Sequence, residues 1–463
     1  MPPTSVDMSP SLWISLDGRG TDTPFTPGDV IIGYVHRAAH LVTPDARVHI
    51  QLHGRSKSKM LVHKGPNNVS EYRGRFNLID DDVTASQLFK GPIHIPPGGD
   101  ALVWPFVITI PAHVSVKAVC AVPKDFDTFI PTVPAQVRHH QLPPTMGAWE
   151  LGYNKSVQGF VEYFLKADIL STVGGRKEAS SALLPITIAH FLREPPIDDF
   201  KLKQRLYPCD VQTQLLLPGR HNDKLSVKEM FKKAMGTPSV PTLSLQLQIE
   251  VPTVLQMGNP TPVPFVLQLV PNWDKSTEKI QKEPQKAKLA LIELKIETTT
   301  FVSCEGTFSN KSDDTRLEID LGMQDKAKSQ AREIDLGQQG SWPAVDIGAL
   351  LDLRLSPDSV PAMVKANREL NCSYATYNVQ QKHALMWKVH IDVAGESVNV
   401  VGKEMVTILP ESIGPVDHLP GPQPLAASET WMQPPPEGEA EAEAPAPPSF
   451  AQVQEEDRIA AKP

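Results

Sequence analysis

The chain has 463 residues, 45 of them proline, and a formal net charge of −8. That charge is local: residues 411–463 hold ten acidic and two basic residues, and residues 1–410 hold 43 of each sign. A neutral body this long exceeds one ordinary core, predicts two domains, and excludes a general nucleic-acid binder, whose binding domain would be basic.

The opening residues, MPPTSVDMSP, have neither a basic start nor an apolar stretch, so no signal peptide is expected. Leu12–Leu16, the turn Thr26-Pro-Gly-Asp and Val30–Val35 then read as strand, turn and strand. Val48–His53 alternates apolar and polar residues, the pattern of a strand with one buried face. Pro96-Pro-Gly-Gly-Asp is a further turn, and Gly159–Ala167 reads as a late strand of the first half. Leu225–Gly236 is the one segment with helical character. Ser226 and Glu229 stand at capping-box spacing, and Gly236 is placed to end the helix. Period-two alternation returns in Leu243–Val251 and Leu291–Glu297, and Ala384–Ile391 is a late strand of the second half. Residues 305–340, polar and poor in apolar positions, read as a long insertion loop. No apolar run approaches the ~18–20 residues of a membrane span.

The fold expected is all-β: two tandem immunoglobulin-like sandwiches, over residues 8–200 and 241–410. A linker over 201–240 carries the short helix, and 411–463 is a disordered acidic tail marked by Pro434-Pro-Pro and Glu437-Gly-Glu-Ala-Glu.

Several of these pieces carry a family likeness. Phe25-Thr-Pro-Gly-Asp-Val-Ile-Ile-Gly-Tyr-Val resembles the first hairpin of an arrestin N-terminal domain. Val48-His-Ile-Gln-Leu-His-Gly-Arg-Ser-Lys-Ser-Lys is similar to the next strand in the α-arrestin branch. Trp104-Pro-Phe-Val-Ile-Thr-Ile-Pro and Val161-Glu-Tyr-Phe-Leu-Lys-Ala resemble its middle and late strands. Ala375-Thr-Tyr-Asn-Val and Leu385-Met-Trp-Lys-Val resemble the closing strands of an arrestin C-terminal domain. The whole is similar to the fungal arrestin-like proteins over about residues 12–410. The resemblance implies the arrestin arrangement of the two sandwiches and a non-catalytic adaptor. Such an adaptor is cytoplasmic and is recruited to the plasma membrane or endosomes. It binds cytosolic tails of membrane transporters or receptors and acts in their endocytosis, ubiquitin-linked down-regulation or signalling. The family's further partner is a HECT-type ubiquitin ligase, held through PPxY motifs. All seven tyrosines here precede residue 411, so no PPxY stands in the tail. A retromer-type or pH-signalling arrestin-fold scaffold is the alternative, and an all-β carbohydrate-active enzyme is a third reading.

No catalytic motif is present: G-x-S-x-G, G-x-x-x-x-G-K-[ST], H-E-x-x-H and G-x-G-x-x-G are all missing. Cys120, Cys209, Cys304 and Cys372 are far apart without C-x-x-C, and read as reduced packing thiols in or near apolar strands. His36 and His40 fall in strand and turn, where their spacing does not make a metal site. No cofactor is called for. Two candidate binding features remain. Arg55, Lys57 and Lys59 share a strand face, with Lys64 shortly after. They suit phosphorylated or acidic cargo, or else form a charged edge strand that blocks aggregation. Lys228, Lys232 and Lys233 form the basic face of the short helix, facing an anionic membrane surface or serving only a docked linker. The tail is a PPII docking segment, a solubilising tether, or an acid run competing with cargo for the basic row.

Overall fold

A computed structural model describes residues 5–6, 11–18, 23–65, 68–80, 84–121, 126–151, 155–173, 176–220, 240–281, 285, 287–306, 310–329, 334–337, 343–356 and 370–414. It is mostly β.

The first half runs β1 (Trp13–Leu16), β2 (Val30–Arg37), β3 (Leu41–Gly65), β4 (Asn68–Asn77), β5 (Ala85–Ile95) and β6 (Leu102–Thr109). Two short helices follow, α1 (Val116–Cys120) and α2 (Pro134–Val137), then β7 (Met146–Leu151), β8 (Lys155–Val173) and β9 (Arg176–Ile186). The opening hairpin forms as the turn chemistry requires. Gly28 takes φ +95°, which costs a side-chain-free residue little, and the Asp29 carboxylate accepts from the Thr26 N–H. One sheet has the order β1-β2-β6 and the other β4-β3-β8-β7, with β5 on β3 and β9 on β8. Alternation along β3 puts Val48, Ile50 and Leu52 inward, where they meet Ile31, Val35, Trp104, Phe106 and Ile108 of the smaller sheet. That burial of apolar side chains between two sheets is the main drive for the layer pair.

The second half runs β10 (Leu202–Gln212), β11 (Thr242–Pro252), β12 (Val254–Gln256), β13 (Val266–Pro271), β14 (Ala287–Cys304) and β15 (Lys311–Asp320). Then come α3 (Met323–Ser329), β16 (Ile334–Gly337), β17 (Val345–Asp346), α4 (Ile347–Leu350), β18 (Tyr374–Ala375), β19 (Val379–Val393) and β20 (Glu396–Leu409). Its sheets are β10-β11-β13-β17 and β12-β20-β19-β14-β15, with β16 on β14 and β18 on β19. Leu245, Leu247, Ile249, Phe265, Leu294, Ile296, Trp387 and Val389 fill the space between them.

Three expectations change here. Residues 305–340 are not one loop: they contain β15, α3 and β16, and β15 pairs with β14 from Lys295↔Asp320 to Cys304↔Lys311. Its core face is only Thr315, Leu317 and Ile319, so the charges facing out hid the period. The stretch 202–212 is not linker but strand β10, paired along its whole length with β11. Its alternation points the unexpected way. Leu202 and Leu206 are exposed, whereas Lys203 and Arg205 reach Glu404 of β20, whose side chain is 8% exposed. Inward-facing charges on an edge strand also discourage sheet-to-sheet pairing. Finally, Glu411–Gly414, assigned to the tail, run beside Leu192: the Leu192 N–H donates to Glu411 O, and Ile413 N–H to Leu192 O. The rest of the tail and the helix Leu225–Gly236 lie outside the described residues.

The far end of β3 meets the second half. Ser56 Oγ lies 3.0 Å from Thr376 Oγ1, and Asn378 Nδ2 donates to Ser58 Oγ at 3.0 Å. Ser58 Oγ donates to the Ser303 carbonyl, and Ser303 Oγ donates to Asp127 O. The Glu305 N–H donates to Arg73 O. Met60, Val157, Val302 and Cys304 add a small apolar cluster. Gly74 belongs to this seam because a Cβ there would stand 2.4 Å from Ser58 Oγ and 2.7 Å from Ser303 O. Among the described residues no helix is long and apolar enough to cross a membrane.

Candidate functional site

The basic row lies where the period of two places it. Arg55, Lys57 and Lys59 stand on one face of β3, and Ser56, Ser58 and Met60 occupy the seam on the other. The edge-strand reading fails, because this part of β3 is interior, paired with β4 on one side and β8 on the other. Lys64 is on β3 at the irregularity between His63 and Gly65, and its side chain lies outside the described residues. Lys228, Lys232 and Lys233 also lie outside them.

Strand pairing adds what the row alone did not show. Lys57 is opposite Arg75 of β4, and Lys59 is opposite Arg73. On the other side Lys57 is opposite Phe160 of β8, and Arg55 is opposite Glu162. The side chains enclose a cleft of about 390 Å³ lined by Arg55, Lys57, Ser58, Lys59, Arg73, Gly74, Arg75 and Phe160. Five cations thus meet on two adjacent strands, β3 and β4, with Phe160 of β8 beside them. Like charges directly opposite one another destabilise a sheet, so this arrangement needs counter-charge.

Two carboxylates supply it. Glu162 accepts from Arg55 Nε and from Lys57 Nζ, the latter at 2.8 Å, and its side chain is 8% exposed. Glu71 accepts from Lys59 Nζ and Arg73 Nε, both at 2.7 Å, at the more open rim. Arg75 Nε donates to Asn77 Oδ1 at 3.1 Å. Arg55 also sits over the Phe164 ring at 4.7 Å, and Lys57 Nζ over Phe160 at 5.4 Å. These aromatic faces favour a cation held partly out of water. Burial pulls the Lys57 ammonium below its usual value, opposed by Glu162. Hydrogen bonds from Arg73 and Lys59 hold the Glu71 carboxyl down to about 2, and Glu71 raises Arg73 in return. The chemistry of the cleft is anion capture, since charge-assisted hydrogen bonds from Arg and Lys to phosphate or carboxylate are the strong kind.

Arg73, Arg75, Glu71, Glu162 and Phe160 were missed by sequence reasoning. A signal existed: Glu71, Arg73 and Arg75 alternate, shortly after the end of β3. A tight hairpin there would bring them beside Lys57 and Lys59. The histidines singled out by spacing do other work. His36 stacks on Trp13 at 4.9 Å and lies 2.7 Å from Ser15 Oγ, and His40 Nδ1 lies 2.7 Å from Ile95 O. The cysteines are free, but Cys120 is exposed at the end of α1, not in an apolar strand. Cys304 is the buried one, and burial raises its thiol to about 11. Compared with known proteins, the chain matches no protein-family model, and no curated protein sequence matches it.

Proposed function

We propose that this chain is a non-catalytic adaptor of the arrestin type that captures phosphorylated or acidic tails of membrane proteins at the cytoplasmic face of plasma membrane or endosomes. The observation that carries the reading is the cleft of five cations on β3 and β4. An anion laid there offsets the repulsion between Lys57 and Arg75 and between Lys59 and Arg73. The strand beneath has a second consequence. The reverse face of the same residues holds the seam with the second half through Ser56 and Ser58. Cargo that straightens or shifts β3 therefore bears on the contact between the sandwiches, which is the moving part of the proposed adaptor. A ubiquitin ligase, in this reading, is engaged by a surface other than a PPxY motif.

The test is binding of a fluorescent peptide carrying phosphoserines to the full chain, beside Arg73→Glu with Arg75→Glu. Their side chains face the cleft from β4, where Arg73 bonds Glu71 and Arg75 bonds Asn77, and the seam bond from Glu305 goes to the Arg73 backbone carbonyl, which the substitution keeps. Affinity should fall at least about tenfold, as loss of two phosphate-directed hydrogen bonds requires. Unchanged affinity, with the circular dichroism spectrum intact, refutes the reading.

A further inference from the structure

The outer face of the sheet that carries the cleft does not stop at Lys57 and Lys59. The register extends two rows across four strands, from β4 through β3 and β8 to β7. One row is Arg75, Lys57, Phe160 and Gly147, and the next is Arg73, Lys59, Gln158 and Trp149. Residues directly opposite one another share a face, so this surface is cationic over β4 and β3 and apolar over β8 and β7. In the cationic half five positive groups meet two carboxylates, Glu71 and Glu162. In the apolar half Phe160 forms part of the cleft wall and Trp149 is 37% exposed. Leu151, two residues further along β7 on the same side, is 74% exposed. One exposed apolar side chain is ordinary; two together, next to an aromatic wall and an excess of positive charge, mark a contact surface.

Gly147 gives that surface its shape. Its backbone is not in the left-handed region, so conformation does not call for glycine here. A Cβ at this position would meet only the Trp149 ring, at 3.8 Å, which is ordinary contact. The missing side chain therefore leaves a notch on β7, with Phe160 on the neighbouring strand and Trp149 along the same one. The cleft itself, at about 390 Å³, has room for roughly a dozen waters, more than one phosphoryl group displaces.

The sheet sets the spacing of a ligand that uses both halves. An anion among Lys57, Lys59, Arg73 and Arg75 lies over β3 and β4, and the notch lies over β8 and β7. The two are separated by two strand spacings, about 10 Å. In a polyproline II backbone, residues three apart point the same way and stand about 9.3 Å apart. In a β-strand, residues on one side stand about 7 or about 13 Å apart, which fits less well.

We infer that cleft and notch form one bipartite site, an inference that rests on the reading of the cleft as an anion site. It takes an extended peptide whose phosphorylated residue enters the cations and whose bulky aliphatic residue, three positions away, fills the notch beside Gly147. The phosphate contacts are common to every phosphorylated peptide and cancel from a ratio of their affinities. Gly147 and Trp149 act on the neighbouring residue and so set the preference among such peptides.

The experiment measures anisotropy of three labelled peptides, each with a single phosphoserine, titrated with the full chain. The first has leucine three residues before and three residues after the phosphoserine. The second has alanine at those positions, and the third has the leucines moved to two residues away. Wild type should bind the first about fivefold tighter than the second, as partial burial of one leucine side chain requires, and the third like the second. Gly147→Val fills the notch with a side chain suited to a strand. It should bring the leucine-to-alanine ratio close to one, with a melting temperature no lower than that of wild type. Trp149→Ala should lower the ratio as well, and it decides the matter if Gly147→Val proves less stable. Arg73→Glu with Arg75→Glu should weaken the first and second peptides by the same factor and leave their ratio unchanged. Equal affinity of wild type for these two peptides, a third peptide as tight as the first, or an unchanged ratio in a folded Gly147→Val chain overturns the inference and leaves the anion site standing. If wild type binds no phosphopeptide better than the Arg73→Glu, Arg75→Glu chain, the anion-site reading itself fails, and the inference fails with it.

Discussion

Acidification should weaken the second sandwich through a single buried histidine. His383 of β19 is 1% exposed, with Nδ1 3.0 Å from Thr298 Oγ1. Burial, opposed only by a backbone contact with Cys372, lowers its ring from 6.5 to about 4. The unfolded chain, with His383 near 6.5, binds this proton more readily than the folded one. Stability is therefore fully present above pH 6.5 and is lost as pH falls towards 4. At about 1.36 kcal/mol per unit, the whole shift is worth about 3 kcal/mol, of which about 2 kcal/mol is gone by pH 5. Urea titrations at pH 7.5, 6.0 and 5.0 measure this directly. His36, His140 and His190 are also lowered by burial and add to the wild-type slope, so the variant isolates one share. His383→Asn keeps a polar atom for Thr298 and cannot take the proton. Its stability should fall less between pH 7.5 and 5.0 than that of wild type, by about 2 kcal/mol. Equal losses in the two chains, or an NMR titration of the His383 ring with a midpoint near 6.5, would refute the reasoning.

Other expected outcomes follow from the seam and the thiols. Gly74→Ala puts a methyl group against Ser58 Oγ and the Ser303 backbone, so it should cost about 1–3 kcal/mol. Hydrogen exchange should quicken at Ser58 and Ser303 and leave the β11–β13 ladder unchanged; an unaltered seam refutes the packing argument. Cys120, exposed at the end of α1, should react with a thiol reagent in the native chain. Cys304, buried and held largely as the neutral thiol, should react only after unfolding, and mass mapping of the labelled sites distinguishes the two. Native labelling of Cys304 at the rate of Cys120 would show that the seam opens readily.

Much of the architecture can be read before any coordinates. Val48–Leu52 and Leu243–Val251 alternate strictly because each has one face in a core and one in water. Where that premise breaks, reading fails. In β10 the half-exposed Lys203 and Arg205 stand on the side that faces Glu404 of β20, about two hundred residues later, and they neutralise that nearly buried carboxylate. In β15 three modest inward residues sit among charges, and only pairing with β14 makes the period count. The basic row was legible for the same reason as the core strands, since residues two apart share a face. Its chemistry was not, because that depends on which strands lie alongside.

The amino-acid sequence by itself determined that this is a two-part, strand-built chain with its net acidity confined to the end, and that Arg55, Lys57 and Lys59 point the same way. Local period and composition suffice for that. Tertiary structure alone decided that Arg73 and Arg75 stand opposite that row, that Glu162 is sealed beneath it while Glu71 rests at its rim, and that the reverse face is the seam. Those relations arise from register and burial between segments far apart in the chain, and no local pattern encodes them.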